Sequence, residues 1–233
     1  MRIPLILVAL IALVLAGFWL FGPPPDPELI KPRTDLPWQV RVNADGSVHV
    51  FDLDIGRSTL RDAIAKFGEP EGAAVFQHGD GRLDLEVYFG KVHFGPLVAR
   101  VVTKLEAPPQ EKRKLAQSAK KRESSPTGDW KFRLPDDAIG HLLDHRLSAI
   151  SYIPGTRSLD QAFYVERFGP PQVWLQEKAG ARSLFYPARG LSILVDDAGP
   201  EVLEYTRPQN FHLPPQAQPW PPVPEAQAAA GQR

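Results

Sequence analysis

Two stretches, "LRDAIAKFGEP" from Leu60 to Pro70 and "LDQAFYVERFGPP" from Leu159 to Pro171, decide how this chain reads. In the first, Leu60, Ala63, Ile64 and Phe67 fall at i, i+3, i+4 and i+7, the spacing of one apolar helix face. Ser58 stands where an N-cap belongs, Gly68 where a left-handed C-cap belongs, and Pro70 blocks continuation. The second stretch repeats the plan, with Ser158 as the expected cap and a helix ending at Phe168 and Gly169. Because Gly169 precedes Pro170, its backbone is expected to differ from that of Gly68. The recurrence predicts a duplicated unit with one or two residues inserted in the second copy.

Working outward from the first helix, "WQVRVNADGSVHVFDLDIG" reads as a hairpin. Val40 and Val42 flank Arg41, Val48 and Val50 flank His49, and Asp45-Gly46 supplies the turn. Beyond the helix come strands at 73–77, at "RLDLEVYF" and at "LVARVVTKL". Leu83, Leu85, Val87 and Phe89 share one face, and Leu97, Ala99, Val101 and Leu105 share another. Asp84 and Glu86 lie on the reverse of their strand, as do Arg100 and Lys104 on theirs, so opposite charges are expected to meet across the sheet. Around the second helix the alternation predicts strands at "LSAISYI", 172–176, 182–186, 191–195 and 202–206.

The ends of the chain differ in character. "IPLILVALIALVLAGFWLFG", residues 3–22, carries no charge and is long enough for a transmembrane helix of about 30 Å. Its aromatic end, Phe18 to Phe21, suits a retained signal anchor better than a cleaved leader. The expected organisation is an anchor over 1–22, a Pro-rich linker over 23–37, a first repeat over 38–107, a basic linker over 108–128, a second repeat over 129–210 and a disordered Pro/Ala/Gln-rich tail over 211–233. The expected fold class is therefore α+β, an N-terminal transmembrane helix followed by two helix-on-antiparallel-sheet repeats.

Composition excludes several functions. Lys and Arg total 27, as do Asp and Glu, so the neutral balance argues against a nucleic-acid partner. The absence of cysteine removes disulfides, thiolate nucleophiles and Cys-based metal sites. The segment 112–122 is locally basic, the pattern of an anionic-lipid contact or of a solvated linker.

At "PGTRSLDQAFYVERFGPP" the chain resembles the signature of the SmpA/OmlA (BamE) group, a Gly with Thr or Ser, a helix, then Phe or Leu, Gly, any residue and Pro. Its tandem form resembles the β-lactamase inhibitory protein-like fold. The resemblance spans Ile55 to Leu105 and Pro154 to Thr206, and only Gly155, Gly169 and Pro171 carry over, in structural roles. It implies helices packed on one face of an antiparallel sheet, and action by binding proteins or lipid head groups. Phe18 stands where the lipoprotein members carry their lipid-bearing cysteine.

Little catalytic chemistry is legible. His141 and His145, spaced i and i+4 in "DDAIGHLLDHRL", could join Asp137 at a divalent metal, but Ile139, Leu142 and Leu143 make them the solvated side of an amphipathic helix. Asp196 and Asp197 read as a turn, and no nucleophile elbow or phosphate loop occurs. The expectation is a non-enzyme without metal or cofactor: a bacterial envelope protein anchored in the cytoplasmic membrane through residues 3–22, with a periplasmic body that binds another envelope protein, as an assembly accessory. The alternative is an inhibitor or immunity-type protein that blocks a partner enzyme. Tyr88, Trp174, Tyr186 and Tyr205 are the expected partner contacts. Phe67, Gly68, Gly155, Phe168, Gly169 and Pro171 are the expected structural residues.

Overall fold

Strand alternation builds the start of the body as predicted. In the computed structural model, which describes residues 33–124, 128–156 and 159–220, β1 (Arg41–Val42) pairs antiparallel with β2 (Val48–Val50). A third strand, β3 (Leu53–Ile55), follows after a loop of two residues, Phe51 and Asp52, both at positive φ (57° and 59°). Tight hairpins favour this arrangement, but Asn-Gly or Asp-Gly adopts it at far lower cost than Phe-Asp. The compensation lies in the core, where the fully buried Phe51 ring meets Phe94, Tyr152 and Tyr205 at centroid distances of 5.0, 5.5 and 5.5 Å.

Helix α1 (Leu60–Phe67) forms where the spacing places it, although its N-cap is Thr59. The Asp62 carboxylate accepts from both the Thr59 backbone N–H and its Oγ1 hydroxyl, at 2.7 and 3.0 Å. Ser58 faces the other way, its Oγ accepting from the Asp54 N–H. After α1 come β4 (Gly72–Gln77), β5 (Leu83–Phe94) and β6 (Leu97–Leu105). The stretch expected as the linker 108–128 instead supplies α2 (Pro109–Gln117) and β7 (Lys121–Ser124), which pairs with β8 (Trp130–Arg133). Pro109 suits the first turn of α2, where an N–H would lack a partner in any case.

A short α3 (Ala138–Leu142) precedes β9 (Leu147–Pro154), and α4 (Gln161–Phe168) follows. Asp160 caps α4 by accepting from the Phe163 N–H at 2.8 Å, while the expected cap Ser158 lies outside the described residues. The remaining strands are β10 (Val173–Gln176), β11 (Arg182–Tyr186), β12 (Leu191–Val195), β13 (Val202–Thr206) and β14 (Gln218–Pro219).

One sheet contains nearly all of them. Its eleven strands run β14-β10-β11-β12-β13-β9-β6-β5-β4-β8-β7, every neighbour antiparallel. This corrects the expected α+β pair of repeats behind a transmembrane helix: the body is mostly β, and the pairing of β6 with β9 fuses both halves into a single ladder. No helix among the described residues is long and apolar enough to cross a membrane, which corrects the membrane and transmembrane-helix assignment and does not favour the expected single-pass placement. The segment 3–22 on which they rested lies outside the described residues. The tail expected to be disordered from 211 onward enters the sheet through β14, and residues 221–233 lie outside the described residues.

Register fixes which side each residue takes. Ala73, Val87, Thr103, Ile150, Tyr205, Leu191 and Tyr186 form one continuous cross-strand row, and all are buried. Apolar residues of the four described helices, among them Phe67, Leu115, Leu142 and Phe168, pack into the core on that side. The opposite side of the sheet therefore carries the candidate site.

Candidate protein-binding face

The structure separates the four aromatic residues expected to touch a partner. Tyr205 is fully buried, and its hydroxyl donates to the Pro37 carbonyl at 2.7 Å; burial raises its pKa well above the usual phenol value. Tyr186 is also buried, donates to the Gly169 carbonyl at 2.9 Å, and is pushed up to about 12 by burial. Both are core residues, which corrects their assignment as partner contacts. Trp174 pairs across from Leu184 on the core side and packs edge-to-face against Trp220. Tyr88 is the one of the four on the open face, half-buried beside Val102.

The expected structural residues do hold the two helix stops. Phe67 and Phe168 are buried. Gly68 (φ 92°, ψ −173°) and Gly169 (φ 75°, ψ 179°) share a conformation open essentially to glycine alone. This corrects both the left-handed cap expected at Gly68 and the different backbone expected at Gly169. Gly155 donates its N–H to the Val98 carbonyl at 2.7 Å, and a Cβ there would come within 2.8 Å of that oxygen. Pro171 is buried just before β10.

The histidine line does not assemble. Helix α3 ends at Leu142, so His145 falls beyond it, and its Nε2 lies 2.9 Å from the Glu111 carboxylate on α2. His141 is exposed. Among the described residues no group of His, Cys, Asp or Glu could hold a metal ion.

The open face has a small-residue floor and charged rows. One row runs Tyr88, Val102, Ser151, Glu204, Ser192, Phe185 across β5, β6, β9, β13, β12 and β11. The next runs Lys121, Arg133, Ala74, Glu86, Lys104, Ala149 from β7 to β9. The expected meeting of opposite charges occurs, with a particular division of partners. Lys104 Nζ lies 2.7 Å from Glu204 and 3.7 Å from Asp84. Burial works against its charge, yet Glu204, Asp84 and Glu86 together hold the ammonium pKa above its usual value. Asp84 also accepts from His78 Nε2 at 3.0 Å, and the other imidazole nitrogen meets Asp129 at 3.1 Å. Burial alone would raise the Asp84 carboxyl, but Lys104, the His78 hydrogen bond and Arg82 hold it below the usual carboxylate range.

Glu86 is left out of this arrangement. It stands directly opposite Lys104, between Ala74 and the Lys104 strand, and its carboxylate accepts no hydrogen bond among the described residues. Burial pushes its carboxyl above the usual range; Lys104 opposes the shift, and Asp84 and Glu204 add to it. Beside it is a cavity of about 350 Å³. Gly72, Ala74 and Val102 leave the space, and Phe76, Tyr88 and Arg133 bound it. A cavity of this size can take one long side chain of a partner or a small ligand. Alternation in "RLDLEVYF" already places Glu86 outward, but its missing hydrogen bond depends on which neighbour Lys104 chooses.

No known protein family, curated protein or solved structure matches this chain.

Proposed function

We propose that this chain is a non-catalytic binding module whose open sheet face receives another protein, with Glu86 taking a basic side chain from it. The observation that carries this reading is Glu86 itself, a half-buried carboxylate with no hydrogen-bond donor among the described residues while the adjacent ammonium is engaged by Glu204 and Asp84. Partial burial of a charge without a protein donor carries a cost, and a partner guanidinium or ammonium would offset it on binding. Phe76 and Tyr88 on the cavity walls suit the flat faces of such a group. The binding mode agrees with what the SmpA/OmlA resemblance implies.

Site-specific photo-crosslinking in the native cell tests the proposal. A crosslinker at position 102 or 151 should capture one partner, and one at Ile64 or Phe163 on the helical side should not. Glu86→Arg should abolish the capture at position 102 without changing the melting of the chain by more than a few degrees. Capture confined to the helical side, or capture indifferent to Glu86→Arg, would overturn it.

A further inference from the structure

The sheet ends differently at its two edges. At β7 the outer strand exposes Lys121 and Arg122, and the Arg122 guanidinium lies 3.8 Å above the Trp130 ring. Charged edges of this kind resist the addition of a further strand. At the other end β10 presents Val173, Trp174 and Leu175, an apolar and pairing-competent strand without charge. What covers it is the chain's own C-terminal segment. From the end of β13 this segment crosses the open face, where Phe211 meets Phe185 edge-to-face at 6.3 Å, and arrives at β10 as β14. Among the described residues the cover is light: Gln218 and Pro219 enter the ladder, opposite Trp174 and Val173, and both are exposed. Trp220 completes it, donating its N–H to the Gln172 carbonyl at 3.2 Å and packing its ring against Trp174 at 6.3 Å. Pro219 has no N–H to offer and terminates the sheet.

We infer that the β10 edge is a strand-addition site for an extended proline–aromatic segment of a partner polypeptide, held closed in cis by Gln218–Trp220. The recognition chemistry is visible in the bound segment: ladder hydrogen bonds supply the pairing, and the aromatic residue after proline packs edge-to-face against Trp174. A partner carrying the same pattern makes the same contacts and competes with the strand already there. Because that strand is tethered, its effective concentration is on the order of millimolar, so a free segment binds measurably only once the latch is loosened. This site is separate from the Glu86 cavity and stands whether or not the open face binds a protein.

The test uses the full-length chain and a labelled peptide of residues 214–220, PPQAQPW, followed by fluorescence anisotropy. Trp220→Ala should bind the peptide about tenfold or more tightly than the unaltered chain does. Adding Trp174→Ala should remove that binding. Gln218→Pro, which deletes a ladder donor from an exposed position, serves as a second loosened latch that leaves the core untouched. Hydrogen exchange at residues 173–176 should quicken in either variant and slow again with peptide. Equal binding to the unaltered and loosened chains, binding indifferent to Trp174→Ala, or no binding to either loosened variant would overturn the inference.

Discussion

The two helix stops, Phe67-Gly68 and Phe168-Gly169, solve one local problem identically and then lead into different halves of the one sheet. Each follows an eight-residue helix, each glycine takes the same glycine-only conformation, and each leads into a strand four residues later. Beyond the first stop the strands are long, with six, twelve and nine residues. Beyond the second they are four, five, five and five residues. The helix stop depends on a few adjacent residues and survives intact in both halves. Strand length depends on what lies alongside, and the first half has the aromatic cluster around Phe51 to cover. Gly68 precedes Glu69 and Gly169 precedes Pro170, so proline is not what imposes the shared backbone. The turn from helix into sheet imposes it.

The largest expected effect separates the two halves. Phe67 meets Phe51, Phe89 and Phe94 at centroid distances of 6.2, 5.4 and 6.0 Å, whereas Phe168 meets Tyr186 at 5.9 Å. Phe67→Ala should cost about 3–5 kcal/mol, and Phe168→Ala should fall at or below the bottom of that range. Denaturant melts decide it, and equal losses would show that the aromatic cluster adds nothing to the first half.

The next effect should be the same in both. A Cβ at Gly68 or Gly169 would meet nothing within 4 Å, so the penalty of Gly→Ala is backbone strain alone, about 1–3 kcal/mol at each. If one variant melts like the parent while the other is destabilised, the two stops are not equivalent.

Two acids on one strand sharpen a finer contrast, because their pH dependences have opposite sign. Asp84 has a lowered carboxyl pKa, so its stabilisation is present above the ordinary value of 3.8 and is lost as pH falls through the folded-state value. Asp84→Asn should cost about 1–2 kcal/mol at pH 7, with the deficit fading in acid. Glu86 has a raised carboxyl, so the parent chain loses stability as pH climbs from the ordinary 4.5 through the folded-state value. Glu86→Gln should therefore gain about 0.5 kcal/mol or more at pH 7, and the gain should vanish below pH 4.5. Thermal melts of both variants across pH 3–8 check this; a destabilised Glu86→Gln at neutral pH would mean that the carboxylate already has a strong partner.

By itself the sequence determined the local elements. Apolar spacing placed α1 and α4, alternation placed β6, β11, β12 and β13 within a residue of their observed ends, and the Phe-Gly-Pro stops marked where helix gives way to sheet. These are short-range signals, set by the geometry of a few neighbouring residues. Alternation also put Glu86 and Lys104 on the outward side of their strands. Tertiary structure alone decided the rest. Tyr186 and Tyr205 read as surface aromatics until register turned them inward, and Phe51 occupies a strained turn that no local preference predicts, because its cost is met by rings up to 154 positions away in the chain, at Tyr205. Lys104 has three carboxylates within electrostatic reach, and only the packed sheet shows that Glu204 and Asp84 take it and Glu86 does not. The fusion of both halves through β6 and β9, and the closing of the β10 edge by β14, are pairings between distant segments. Any exposed strand can in principle form such a ladder, so which ones meet depends on the whole packed chain.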